Sequence, residues 1–88
     1  MNKAIYDLIK SINPDLNDRQ MLALRSFIIT EGVYHFIESR LCEMIRDNPK
    51  SAAISREFMR YTKIGGVKSD KLTKKRQEEI KLYFSEIE

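Results

Sequence analysis

The run Gln20-Met21-Leu22-Ala23-Leu24-Arg25-Ser26-Phe27-Ile28-Ile29-Thr30-Glu31-Gly32 sets the arrangement of the rest of the molecule. Met21, Leu24, Phe27 and Ile28 recur at the spacing of one helical face, and Leu22, Ala23 and Ile29 widen that stripe until little of the helix is polar. Such a helix belongs at the centre, because only neighbours on several sides can cover it. Asn17 or Asp18 supplies its N-terminal cap, and Gly32 stops it. The flanking segments therefore read as its cover.

On the amino-terminal side, Ile5, Leu8, Ile9 and Ile12 make residues 2–12 an amphipathic first helix, ended by Pro14. Beyond Gly32, a third helix from about Tyr34 to Asp47 gathers Ile37, Leu41, Met44 and Ile45, and Asn48-Pro49 closes it. Ser51 begins a fourth, with Ile54, Phe58 and Tyr61 along one face. Lys63 to Lys68, containing Gly65-Gly66, reads as a loop. Ser69 or Asp70 caps a fifth helix carrying Leu72, Ile80, Tyr83, Phe84 and Ile87. Its first half, Thr73 to Glu79, is wholly polar and is expected to leave the body or face solvent. No strand pattern competes. The expectation is an all-α protein, one compact five-helix domain over residues 1–88.

Size and composition agree. A chain of 88 residues buries only about 60–65% of its unfolded surface, so any cleft is shallow or shared. With 42% hydrophobic and 33% charged residues, 3 Gly and 2 Pro, it is too apolar for disorder and too poor in turn residues for a sandwich. The net charge of +3 is uneven: Arg56 to Arg76 holds eight Lys or Arg (Arg56, Arg60, Lys63, Lys68, Lys71, Lys74, Lys75, Arg76) against Glu57 and Asp70. That asymmetry suits an anionic partner; the alternative is an ordinary solvated helical face. A single cysteine, Cys42, excludes an intramolecular disulfide and points to a reducing compartment. No apolar run approaches the roughly 20 residues of a membrane span, and the first residues break too early with charge for a signal peptide. A soluble cytoplasmic protein is expected.

The chemistry-bearing residues are few. His35 is the sole histidine and, on one continuous helix, stands about 10.5 Å from Cys42. The two therefore make neither a metal site nor a nucleophile–base pair, and Cys42 reads as a buried filler. Gly65-Gly66 lacks a phosphate-loop pattern. Glu38 and Asp47 would lie about 13.5 Å apart on opposite faces of that helix, whereas glycoside hydrolysis wants roughly 5–9.5 Å. No cofactor is implied. DNA binding through Lys68, Lys71, Lys74 and Lys75 needs only phosphate contacts, but Glu78 and Glu79 follow at once and only Gln77 offers base readout.

The residues also resemble a known family. Gln20 to Phe27 is similar to the Q-x-x-A-L-x-S-F stretch of phage-type lysozymes, glycoside hydrolase family 24. Gly32, Phe36, Ser39 and Leu41 resemble the following G-x-x-x-F-x-x-S-x-L, and Glu57-Phe58-Met59-Arg60-Tyr61 resembles E-F-x-R-W. Gly65-Gly66 falls at the family's glycine pair. Leu72, Lys74, Lys75, Arg76 and Glu79 resemble its L-x-R-R-R-x-x-E run, and Asn2 to Ile12 the helix before the first motif. The resemblance implies the helical carboxy-terminal lobe of an endolysin. The family's catalytic Glu, its partner and its Thr belong to the amino-terminal lobe and have no counterpart here. Ile29-Thr30 replaces the aromatic-Asn pair before the glycine and Tyr61 replaces a Trp, which takes away an amide suited to an N-acetyl sugar.

The function expected from these readings is a non-catalytic phage- or prophage-derived binding protein. It would inhibit a host protein complex, for example as an anti-defence or anti-CRISPR protein, through the basic segment with Tyr61 as aromatic anchor. An apolar face around Ile5, Ile9, Ile28 and Ile29, bared without the other lobe, would serve a homodimer or a foreign protein. The alternatives are half of a split endolysin that binds peptidoglycan or pairs with a separate catalytic lobe, and a small basic nucleic-acid binder.

Overall fold

The computed structural model describes residues 3–85; Asn2 and Ile87, assigned above to the first and last helices, lie outside the described residues. The chain runs α1 (Lys3–Ile12), α2 (Asp18–Glu31), α3 (Val33–Ile37), α4 (Arg40–Asp47), α5 (Ala53–Phe58), β1 (Lys63–Ile64), β2 (Val67–Lys68) and α6 (Asp70–Tyr83). The fold is mainly helical, with one two-stranded antiparallel sheet among the described residues.

Helix α2 is the centre, as its apolar breadth requires. Asn17 caps it: its side chain accepts from the Gln20 N–H at 2.8 Å, and the Gln20 side chain accepts from the Asn17 N–H at 2.9 Å. This reciprocal box satisfies donors that a bare helix end leaves orphaned. Met21, Ala23, Leu24, Phe27 and Ile28 are buried, while Leu22 and Ile29 emerge at 43% and 56% exposure. Gly32 ends the helix at φ +95°, a conformation that favours glycine, and its N–H still reaches the Ile28 carbonyl at 2.7 Å.

Phe27 organises the core. Its ring meets Phe36, Phe58 and Tyr61 edge-on, with centroids 6.0, 5.7 and 4.9 Å away, the arrangement that ring quadrupoles favour. The Tyr83 hydroxyl closes the far side by donating to the Pro49 carbonyl at 2.7 Å. Helix α6 lies along α2, and α1 packs on α2 and α4.

Three expectations change. The helix expected from Tyr34 to Asp47 is two, because Ser39 interrupts it. The Ser39 hydroxyl donates to the Phe36 carbonyl at 2.6 Å and accepts from the Cys42 N–H at 3.1 Å, so it finishes α3 and caps α4. The Lys63–Lys68 loop is a hairpin pairing Lys63 with Lys68 and Ile64 with Val67. Gly65 at φ +57° and Gly66 at φ +82° supply the left-handed two-residue turn that strand twist demands. Finally, the expected bared apolar face is largely covered: Ile9 and Ile28 are 0% and 1% exposed, and Ile5 packs against the core. Helix α1 buries its own stripe against α2 and α4, which leaves only Ile29 outside.

Candidate functional site

The polar first half of α6 does not face solvent throughout. Arg76 is fully buried, with its guanidinium 4.7 Å from the Phe27 ring centroid. Its Nε donates to the Tyr61 carbonyl at 3.0 Å, and Nη2 donates to Thr30 Oγ1 at 2.6 Å and Glu31 Oε2 at 2.9 Å. Its Nη1 donates to Glu79, which also accepts from the Ser26 hydroxyl. A charge taken out of water persists only when paired and hydrogen-bonded, and Arg76 meets that condition through the fork of its guanidinium. Arg76 is therefore removed from the basic surface to which its sequence position assigned it. Its partners Thr30, Glu31 and Glu79, with Ser26 bonded to Glu79, do not stand out as a cluster in the sequence; the Arg-x-x-Glu spacing from 76 to 79 is the available signal.

Above this cluster an open groove of about 500 Å³ runs between the end of α2, the hairpin and the start of α6. Lys63, Lys71 and Lys75 line it, together with Ile64, Leu72 and the Thr30 and Ser69 hydroxyls. Glu31 is its one carboxylate, and that group is already engaged by Arg76 and, 3.4 Å away, by His35 Nδ1. Ser69 builds the wall by capping α6, accepting from the Leu72 N–H at 3.2 Å. Lys68, paired across the hairpin from Lys63, and Lys74, beside Lys71 and Lys75, are exposed and extend the basic character outward. Like charges placed directly opposite on a strand pair are destabilising, so the hairpin retains Lys63 and Lys68 at a cost.

The remaining sequence candidates go elsewhere. Arg56 and Arg60 lie on a separate groove at α4 and α5, which Arg40 also lines. Tyr61 is half-buried, wedged between Phe27 and His35, with ring centroids 4.9 and 6.0 Å away, and is no free-standing anchor. Burial, reinforced by the neighbouring Glu57, pushes its phenol pKa up. Cys42 is buried, as its place beside Leu41 implied, and that burial raises the thiol despite Arg46 nearby. His35 turns to Glu31 and Tyr61 rather than to Cys42. Among the described residues no group of three or more His, Cys, Asp or Glu is placed to hold a metal ion, and no helix is long and apolar enough to cross a membrane.

Fold and site together define a compact helical domain, centred on one apolar helix and bearing a lysine-rimmed groove over a buried arginine–carboxylate cluster. A family model described as phage lysozyme matches residues 1–79. The chain belongs to the phage lysozyme family. No curated protein and no solved structure matches it.

Proposed function

We propose that this chain is a non-catalytic binding protein built on a phage lysozyme lobe, and that the lysine groove holds an acidic partner. The observation that carries the reading is the groove's charge: Lys63, Lys71 and Lys75 face a single carboxylate, Glu31, which Arg76 and His35 already occupy. Complementary charge of this kind steers encounter and fixes register. A non-catalytic role is supported by the carboxylates themselves. Glu31 is the one carboxylate lining the groove, with no second beside it to make the pair that glycoside hydrolysis uses, and Glu79 is 3% exposed and held by Arg76 and Ser26.

The narrower form of the reading is that the partner is the acidic face of a host protein complex in the cytoplasm, which the chain inhibits as an anti-CRISPR or other anti-defence protein would. Its support is the groove's positive charge, which suits an acidic protein face. A second reading is favoured by that same family: the groove is a peptidoglycan-facing wall, with Thr30 and Ser69 as hydroxyl contacts, working beside a separate catalytic lobe.

One experiment addresses both. Wild-type protein and the triple variant Lys63→Glu, Lys71→Glu, Lys75→Glu are compared in capture from host lysate and in sedimentation with purified cell walls, alongside a muramidase assay. A stoichiometric acidic protein captured only by the wild type, without lysis, supports the inhibitor reading. Wall binding lost in the variant supports the second. Equal capture and equal sedimentation by the two proteins would remove the groove from the function. A steep loss of binding with salt on DNA would favour nucleic acid instead.

A further inference from the structure

The second groove carries its own chemistry. It has about 480 Å³ of open volume, and Arg40 from α4 lines it with Arg56 and Arg60 from α5 and the turn that follows. Its single carboxylate is Glu57, whose side chain is 8% exposed and lies 3.7 Å from Arg60 Nη1. The guanidiniums of Arg40 and Arg56 have no hydrogen-bond or ion-pair partner among the described residues. Met44 and Ala53, which contribute the rest of the lining, offer no charged acceptor.

Two features make this more than an ordinary basic surface. Arg40 occupies the first position of α4, the end of a helix where the backbone dipole disfavours a cation and favours an anion. Arg56 from α5 and Arg60 from the turn after it line the same groove, and the Arg60 N–H bonds the Glu57 carbonyl at 3.1 Å within that turn. Three positive charges against one negative leave the groove at +2. A carboxylate would neutralise half of that. A phosphate monoester, carrying about −1.5 to −2 at neutral pH with three acceptor oxygens, matches both the charge and the planar donor forks.

We propose that Arg40, Arg56 and Arg60 form a binding site for a phosphate monoester group. The site uses different elements from the lysine groove, and it stands or falls independently of the function assigned there. A phosphodiester, with one charge per group, fits it less well than a terminal phosphate. The same chemistry is presented by free phosphate, by a phosphorylated side chain and by a nucleic-acid end.

The test titrates the full isotope-labelled chain, at constant ionic strength, with inorganic phosphate, phenyl phosphate and acetate, following backbone amide signals. Saturable shifts at the start of α4 and along α5 are expected with both phosphates and not with acetate. Arg40→Gln/Arg56→Gln should weaken phosphate binding by at least about tenfold, while Lys71→Gln/Lys75→Gln leaves it unchanged. Both arginines are exposed, and unaltered circular dichroism will show that the variants remain folded. Arg40→Lys/Arg56→Lys keeps the charge but not the forks, so it should bind less tightly than wild type. No saturable shift at these residues, or equal loss in the lysine-groove variant, overturns the site; full affinity in the Arg→Lys variant overturns the fork recognition. A phosphoserine peptide, a 5′-phosphorylated oligonucleotide and their unphosphorylated forms then separate the sources, and a phosphorylated probe that outbinds inorganic phosphate names the physiological one.

Discussion

Lys75 and Arg76 are neighbours in the chain, yet one lines the open groove and the other is fully buried against Phe27. One residue along a helix turns the side chain by about 100°, and on α6 that rotation separates two kinds of positive charge. The outer row, Lys71, Lys74 and Lys75, meets water. The inner pair, Arg76 and Glu79, is locked to Glu31, Thr30 and Ser26 on α2. A count of positive charges along a segment measures neither row. Inner charges report how the helices are held, and outer ones report what the surface attracts.

Removing the inner charge should have the largest effect. Arg76→Met leaves Glu31 and Glu79 without their partner, and breaking such a buried pair costs about 3–5 kcal/mol. Calorimetry should record the melting point falling by about 4–8 °C for each kcal/mol lost. A fall of only a degree or two would show that Arg76 belongs with the outer row. Pairing the change with Glu79→Met should recover part of the loss, because an apolar pair carries no buried charge.

Next in size is Tyr83, which fastens the end of α6 to the Pro49 carbonyl. Tyr83→Phe should cost about 1 kcal/mol in urea unfolding. Burial pushes this phenol well above its ordinary value of 10.0. The folded state therefore holds the proton more tightly than the unfolded state, and the contribution is complete below a pH of about 10 and lost as pH rises past it. Wild-type stability should fall through that alkaline range. Tyr83→Phe should flatten the fall, with a remainder from Tyr61 and from Cys42, whose shifts have the same sign. A profile as steep in the variant as in wild type would assign the effect to other groups.

Ser69→Ala removes the cap of α6 and should cost about 1 kcal/mol, measured as a shift of the urea midpoint; Ser69→Asp should restore most of it. Smallest of all, Lys71→Glu/Lys75→Glu should change stability by no more than about 0.5 kcal/mol. Its effect belongs to binding, and a large drop in melting point would mean that the outer row supports the fold.

How far these rows were legible follows from what each signal encodes. Periodicity found α2, α1 and α6 because their apolar faces repeat, and Asn17, Gly32 and Ser69 ended or began helices by side-chain and backbone chemistry that acts locally. Ser39 was missed because the apolar spacing from Ile37 to Leu41 runs through it unbroken, and only its hydroxyl bonds mark the boundary. The hairpin leaves no strand signature in the sequence because two residues per strand are too few to show alternation. At the site, charge alone groups Lys63, Lys71 and Lys75, which do fall together, and equally points to Arg76, which is inside. Its partners on α2 lie 45 and 46 positions away, and Ser26 lies 53 from Glu79, distances across which no local pattern reaches.

That separation has a consequence for the chain as it is made. During synthesis α2 leaves the ribosome well before α6, and until residue 76 follows, the Phe27 ring lacks its guanidinium cover while Ser26, Thr30 and Glu31 wait for donors and acceptors they will later share. The nascent domain cannot seal its centre from either end alone. Because the contacts that close the centre join α2 to α6, a chain truncated before residue 70 should be cleaved by protease faster than the full chain.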